Sequence, residues 1–147
     1  MIGLIQLVTH ASVVVENKTI ATIGRGILAL IGIEKSDTEN EAQRLFEKII
    51  HYRIFGDAQG KMNLCLKDIQ GELLLVPQFT LVAETQKGTR PGFSVGMPPE
   101  EGKKLFSMLV TYAQAHYPRT ACGEFGAYMQ ISLCNDGPVT FWLRTNK

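Results

Sequence analysis

Ile27-Leu28-Ala29-Leu30-Ile31-Gly32-Ile33 decides the fold. It is apolar on both faces, as a strand buried on both sides must be, and this places it in the centre of a sheet. The run has seven residues, far short of the roughly 20 needed to span a bilayer.

Working outward toward the N-terminus, Gly24-Arg25-Gly26 breaks the chain before this run. Residues 19–23 read as a strand, Glu16-Asn17-Lys18 as a hairpin turn, and residues 2–15 as one long strand ending in Val13-Val14-Val15. The opening Met1-Ile-Gly-Leu-Ile-Gln alternates like a strand and carries no secretory pattern. Toward the C-terminus, Ser36 with Glu39 three residues on forms a capping box. Ala42, Leu45, Phe46, Ile49 and Ile50 then recur at helical spacing, predicting an amphipathic helix that ends near Tyr52. Arg53-Ile54-Phe55 is short and strand-like, and Gly56 to Gly60 is a turn.

Leu73 to Leu81 reads as another strand. Pro77 inside it cannot donate to a ladder, so the strand is at an edge or bulged there. Residues 84–99 mix Gly and Pro with Thr, Lys and Arg and read as a long exposed loop, the kind that often carries function. Pro98-Pro99-Glu100-Glu101 opens a second helix, with acidic residues in its first turn. Leu105, Met108, Leu109, Tyr112 and Ala113 line its apolar face, and Pro118 closes it. Tyr128 to Leu133 alternates as a strand, Asn135-Asp136-Gly137-Pro138 is a turn, and Val139 to Leu143 is the last strand. The expectation is one α/β layered domain over 1–147, with about seven largely antiparallel strands in a sheet or partial barrel and two helices.

Hydrophobic residues are 45% of the chain and the formal net charge is +1. That supports a real core and argues against a large basic footprint, though a local patch of Lys and Arg can still meet a few phosphates. Cys65, Cys122 and Cys134 are odd in number and widely spaced, which fits a reduced, cytoplasmic compartment better than a disulfide framework or zinc site.

The polar inventory is thin for an enzyme. His10, His51 and His116 fall in separate elements with no metal spacing, so no metal or other cofactor is expected. His51 and His116 stand at helix ends, where a histidine meets the dipole favourably. No Gly-x-Ser-x-Gly elbow and no phosphate-cradling Gly-Lys-Ser/Thr loop occurs. Gln78 and Thr80 fall on one side of the expected strand, but Thr80 has no obvious base to make it a nucleophile.

Read together, several segments resemble one family along nearly the whole chain, the D-aminoacyl-tRNA deacylases. They are Ile5-Gln6 with Ala11-Ser12-Val13, Tyr52-Arg53-Ile54-Phe55, Gly60-Lys61-Met62-Asn63-Leu64, Gln78-Phe79-Thr80-Leu81, Arg90-Pro91 with Phe93-Ser94, Phe125-Gly126-Ala127 with Met129, and Asn135 to Leu143. The resemblance implies that this enzyme hydrolyses the ester of D-aminoacyl-tRNA, and of glycine on alanine tRNA, as a homodimer with active sites at the subunit interface. Gln78, Phe79 and Thr80 would carry catalysis, with backbone N–H groups near Phe79 and Thr80 stabilising the oxyanion. The neighbouring ribose hydroxyl would help activate water, leaving Thr80 a positioning role. A cis Gly137-Pro138 segment of the other subunit, with Val139 and Thr140, would exclude an L side chain. Pro77, Phe125 and Met129 would line the substrate pocket. Lys87, Arg90 and Lys61 are candidates for phosphates of the tRNA acceptor end.

Two positions depart from the family pattern. Pro77 stands where Ser is usual, and Leu7 where an Arg usually helps hold the Gly-Pro segment, so another group must hold it here. Pro before Gln also occurs in a related branch that removes L-alanine from mischarged tRNA, while Phe79 fits the D-specific group. The competing classes are a non-catalytic RNA- or DNA-binding module on the same scaffold and a structural dimer partner of a larger synthetase.

Overall fold

The computed structural model describes residues 1–145; the last two positions of the expected 1–147 domain lie outside the described residues. Its elements are β1 (Ile2–Val15), β2 (Lys18–Ile23), β3 (Gly26–Gly32), α1 (Glu39–His51), β4 (Phe55–Gly56), β5 (Met62–Leu64), β6 (Glu72–Pro77), a 3-10 turn (Phe79–Val82), α2 (Pro99–His116), β7 (Thr120–Cys122) and β8 (Gln130–Arg144).

β1 is the spine. Glu16 and Asn17 take positive φ and turn the chain, as a tight hairpin requires. β2 and β3 then return along one edge of β1, pairing Ala11 with Ile23 and Val8 with Gly26, so they form one strand interrupted at Gly24-Arg25. β8 occupies the other edge over nearly its whole length. β6 pairs parallel to β3, and β7 parallel to β6. The main sheet is therefore mixed, and the run beginning at Ile27 lies inside it, as its two apolar faces required. β4 and β5 form a separate small hairpin.

Alternation sorts the side chains. Ile5, Leu7, Ile27, Ala29, Ile31, Leu73 and Leu75 face the helices, meeting Leu45, Phe46, Ile49 and Ile50 of α1 and Leu105, Phe106 and Leu109 of α2. Val8, Leu28, Leu74 and Val76 face the other way. Thr9 is an extra residue in β1, where Val8 to His10 opposes only Asn135 to Cys134. Such a bulge switches which parity points inward. Beyond it Ala11 and Val13, with Ala21 and Ile23, join the second cluster. The sheet thus curls β2 toward β6 and β7, giving a nearly closed, barrel-like form. No helix among the described residues is long and apolar enough to cross a membrane.

Several expectations are corrected. The α1 capping box is Thr38 with Glu41, not Ser36 with Glu39: the Thr38 N–H donates to Glu41 Oε2 at 2.9 Å and its hydroxyl to the same oxygen at 2.5 Å. Asp37, just before this cap, accepts from the buried Met1 amino group at 2.5 Å. Met108 is exposed and Phe106 takes the buried place on α2. The short strand after α1 is Phe55–Gly56 rather than 53–55. The segments 128–133 and 139–143 are one strand, β8, and Asn135 to Pro138 is no hairpin turn. Both halves pair with β1, so the turn residues serve a bulge inside a continuous strand rather than a reversal.

Candidate active site

The strand expected to run to Leu81 ends at Pro77. β7 pairs with β6 only from Leu73 to Leu75, so Pro77 sits where β6 has a free edge and its missing N–H breaks no ladder bond. The Gln78 N–H donates to the Ile31 carbonyl at 2.8 Å, anchoring the exit to β3. The chain then winds into the 3-10 turn, closed by Leu81 N–H to Gln78 O at 3.3 Å. Gln78 and Thr80 therefore meet across a turn rather than along a strand: Gln78 Nε2 donates to Thr80 Oγ1 at 2.5 Å. With that lone pair occupied, the Thr80 proton is directed elsewhere, leaving a hydroxyl that can donate.

Among the described residues, the Phe79 and Thr80 N–H groups have no hydrogen-bond partner. They are the orphan donors that open any helical turn. Phe79 is 65% exposed and its ring lies 5.2 Å from that of Phe93, itself 48% exposed. The turn thus offers two main-chain donors, one oriented hydroxyl and an open aromatic pair.

The structure places the other expected residues unevenly. Met129 and Pro77 both flank Gly123, where an added Cβ would lie 2.8 Å from Met129 Sδ and 3.6 Å from Pro77 Cδ. Phe125 packs instead on α2, its ring 6.1 Å from Phe106 and close over Gly102. Lys87 and Arg90 are exposed on the loop leaving the 3-10 turn, whereas exposed Lys61 stands on the β4–β5 hairpin. His51 and His116 contact carbonyls four residues back through Nδ1, at 2.9 and 2.8 Å, as helix-end histidines do. Cys122 lies beside the site on β7, but burial pushes its thiol above the ordinary value, so it is a poor thiolate.

Gly137, Pro138, Val139 and Thr140 lie elsewhere in the same chain. Thr140 pairs with Gln6 and Asn135 with Val8, so Asp136 to Val139 oppose Leu7 alone and bulge outward. The Gly137-Pro138 bond is cis and Gly137 has φ +144°. β1 and β3 stand between β8 and β6, so three inter-strand steps, about 14 Å, separate bulge from turn across the sheet. Leu7 is buried in the main core and has no polar group with which to hold the bulge as an arginine would. Gln6 holds it instead: its Nε2 reaches Asn135 Oδ1 at 3.4 Å. Sequence reading missed this contact, because only the β1–β8 register shows that residues 6 and 135 are neighbours.

The sequence profile of D-Tyr-tRNA(Tyr) deacylases matches residues 4–144. D-aminoacyl-tRNA deacylases of Nitrosococcus oceani and Dichelobacter nodosus are each 54% identical to the chain, over 98% of it and 93% of the first relative, and over 97% of it and 99% of the second. A solved structure titled "c-Myc DNA Unwinding Element Binding Protein" superposes with a TM-score of 0.94 at 38% identity, covering both chains fully. One titled as a probable eukaryotic D-amino acid tRNA deacylase gives 0.87 at 16% identity over 98% of each chain, a likeness of fold alone. The family profile and the two deacylase relatives, each matching nearly the whole chain, define a hydrolase on this nearly closed mixed sheet. The chain belongs to the D-Tyr-tRNA(Tyr) deacylase family.

Proposed function

We propose that the chain hydrolyses the ester joining a D-amino acid, or glycine, to the 3′ end of tRNA, and that it does so as a homodimer. The observation that carries this reading is the pair of unengaged N–H groups at Phe79 and Thr80, beside a hydroxyl oriented by Gln78. Water attacks the ester carbon, the C=O pair moves onto oxygen, and these donors receive the oxyanion. Collapse expels the ribose oxygen, which takes the proton that the attacking water gives up, and frees the amino acid. The neighbouring ribose hydroxyl assists the attacking water, so no protein base is needed. Preset donors of this type are worth about 10²–10³ in rate each.

Selectivity is assigned to the Gly137-Pro138 bulge of a second copy, whose carbonyl oxygens leave no room for an L side chain. Two features support the dimer. Within one chain the bulge and the turn lie on different strands with β1 and β3 between them. The outer edge of β8, next to exposed Trp142, is unpaired among the described residues and can continue pairing across a two-fold. The three unbonded cysteines fit the cytoplasm.

The likeness to a protein titled as DNA-binding favours one other reading, a nucleic-acid binder. Turnover decides between them. At substoichiometric protein, D-Tyr-tRNA should be consumed while L-Ala-tRNA persists. Protection of the charged tRNA would establish the binder, and preference for L-Ala-tRNA would establish the L-specific branch.

A further inference from the structure

Between Ala83 and Met97 the chain leaves the 3-10 turn and returns to the end of β3, and it is tied down at each stage. Glu84 and Gly92 exchange both main-chain hydrogen bonds, at 2.8 and 2.9 Å. The Ser94 hydroxyl donates to Glu84 Oε2 at 3.0 Å. Phe93 rests on Phe79. The Lys35 N–H donates to Val95 O at 3.1 Å, and the Met97 N–H to Ile33 O at 3.0 Å. The loop between these ties is Thr85-Gln86-Lys87-Gly88-Thr89-Arg90-Pro91, exposed throughout, with two cations and no acid. Neither Lys87 nor Arg90 has an ion pair among the described residues.

Glu84 is the nearest carboxylate in sequence to both cations, yet it is engaged by Ser94 on the returning arm. The arrangement closes the neck of the loop and leaves the positive tip uncompensated. A free loop would average these charges over many positions and lose the entropy of ordering on binding; a closed neck removes much of that cost.

We infer that Glu84 is a positioning residue. Through Ser94 it presets Lys87 and Arg90 as a clamp for the phosphodiesters of the single-stranded 3′ end while the ester lies on the Phe79–Thr80 turn. The inference rests on the proposed function and names the part of the substrate that this loop takes.

The test compares D-Tyr-tRNA with D-tyrosyl-adenosine, an ester lacking the acceptor phosphates. Glu84→Ala should raise KM for the tRNA about tenfold at nearly constant kcat, and change the adenosine ester less than about twofold. Glu84→Gln, which keeps an acceptor for Ser94, should restore the tRNA KM. Replacing both Lys87 and Arg90 by Ala should flatten the slope of log(kcat/KM) against log[salt] by about 1.4, two single-strand phosphates. Equal losses on both esters, or an unchanged salt slope, overturn the clamp. If wild-type protein hydrolyses neither ester, the proposed reaction fails on its own. Binding of an uncharged acceptor-stem minihelix then reads the clamp: a Kd unaffected by Glu84→Ala overturns it, and a Kd weakened about tenfold and restored by Glu84→Gln supports it.

Discussion

Gln6 stands opposite Thr140 in the β1–β8 ladder, yet its side-chain amide reaches Asn135 across the neck of the bulge, at 3.4 Å. Leu7, which faces the bulge in the ladder, is an apolar core residue, so among the described residues Gln6 supplies the side-chain hydrogen bond from β1 at this point. Gln6→Ala should therefore lower the preference for D-Tyr-tRNA over L-Tyr-tRNA about fivefold to tenfold, the worth of one hydrogen bond near ~1 kcal/mol. Asn135→Asp keeps the accepting oxygen and should keep the preference. An unchanged ratio in both Gln6→Ala and Asn135→Ala would remove the brace from the account.

On the proposed mechanism Thr80, whose hydroxyl accepts from Gln78, orients and donates rather than attacks. Thr80→Val should reduce kcat about tenfold and leave clear residual turnover, because the Phe79 and Thr80 N–H groups are main-chain and survive the change. Rapid-quench measurements on the wild type should show no acyl-enzyme burst. Complete loss of turnover with fold and binding intact would make Thr80 a nucleophile.

Gly137 occupies φ +144°, and a Cβ there would lie 2.7 Å from Val139 Cγ2 and 2.8 Å from the Val139 nitrogen. Gly137→Ala should disturb the bulge more than the core, since Asn135 to Pro138 are exposed and of the bulged residues only half-buried Val139 packs against the core. Deacylation of D-Tyr-tRNA should fall at least about tenfold with little change in Tm. A fully active Gly137→Ala variant would show that the bulge does not shape the site.

Gly26 meets β6 so closely that a Cβ would stand 1.8 Å from the Glu72 carbonyl oxygen. Neighbouring backbone cannot swing aside as a side-chain tip can. Gly26→Ala should cost about 3 kcal/mol or more, the upper end of overpacking penalties, read from urea unfolding. A loss under about 1 kcal/mol would mean that the β3–β6 pairing relaxes readily.

Three carboxylates give the fold an acid limit. Thr38 hydrogen bonds hold Glu41 below its ordinary 4.5, the Asn63 amide and then the Lys61 N–H hold Asp57 below 3.8, and the Cys65 N–H holds Asp68 below 3.8. Folded values below unfolded ones mean that the stabilisation is complete above about pH 4.5 and is lost as pH falls through the folded values. Tm should drop on acidification through that window, and Thr38→Val should shrink the drop. A Tm flat down to pH 3 would contradict these bonds.

Much of the fold was legible because it is written in local patterns. β1 ends at Val15 as its valine run indicated, α1 stops at His51, and α2 opens at Pro99. The Asn-Asp-Gly-Pro segment misled for a physical reason: the same residues favour a reversal and a bulge, and only pairing with β1 distinguishes them. The end of β6 was misread likewise, since Pro77 marks a free edge without saying that the chain will coil after it.

Read alone, the sequence yielded a layered α/β domain and a central apolar strand, because burial imposes a period on neighbouring residues, and it marked the segments that resemble the family. The tertiary structure alone decided that Gln78 serves Thr80, that Gln6 reaches Asn135, and that turn and bulge lie on separate strands of one chain. The last two are relations of register between distant segments, and even the local Gln78–Thr80 contact depends on a winding anchored by the long-range bond from the Gln78 N–H to the Ile31 carbonyl.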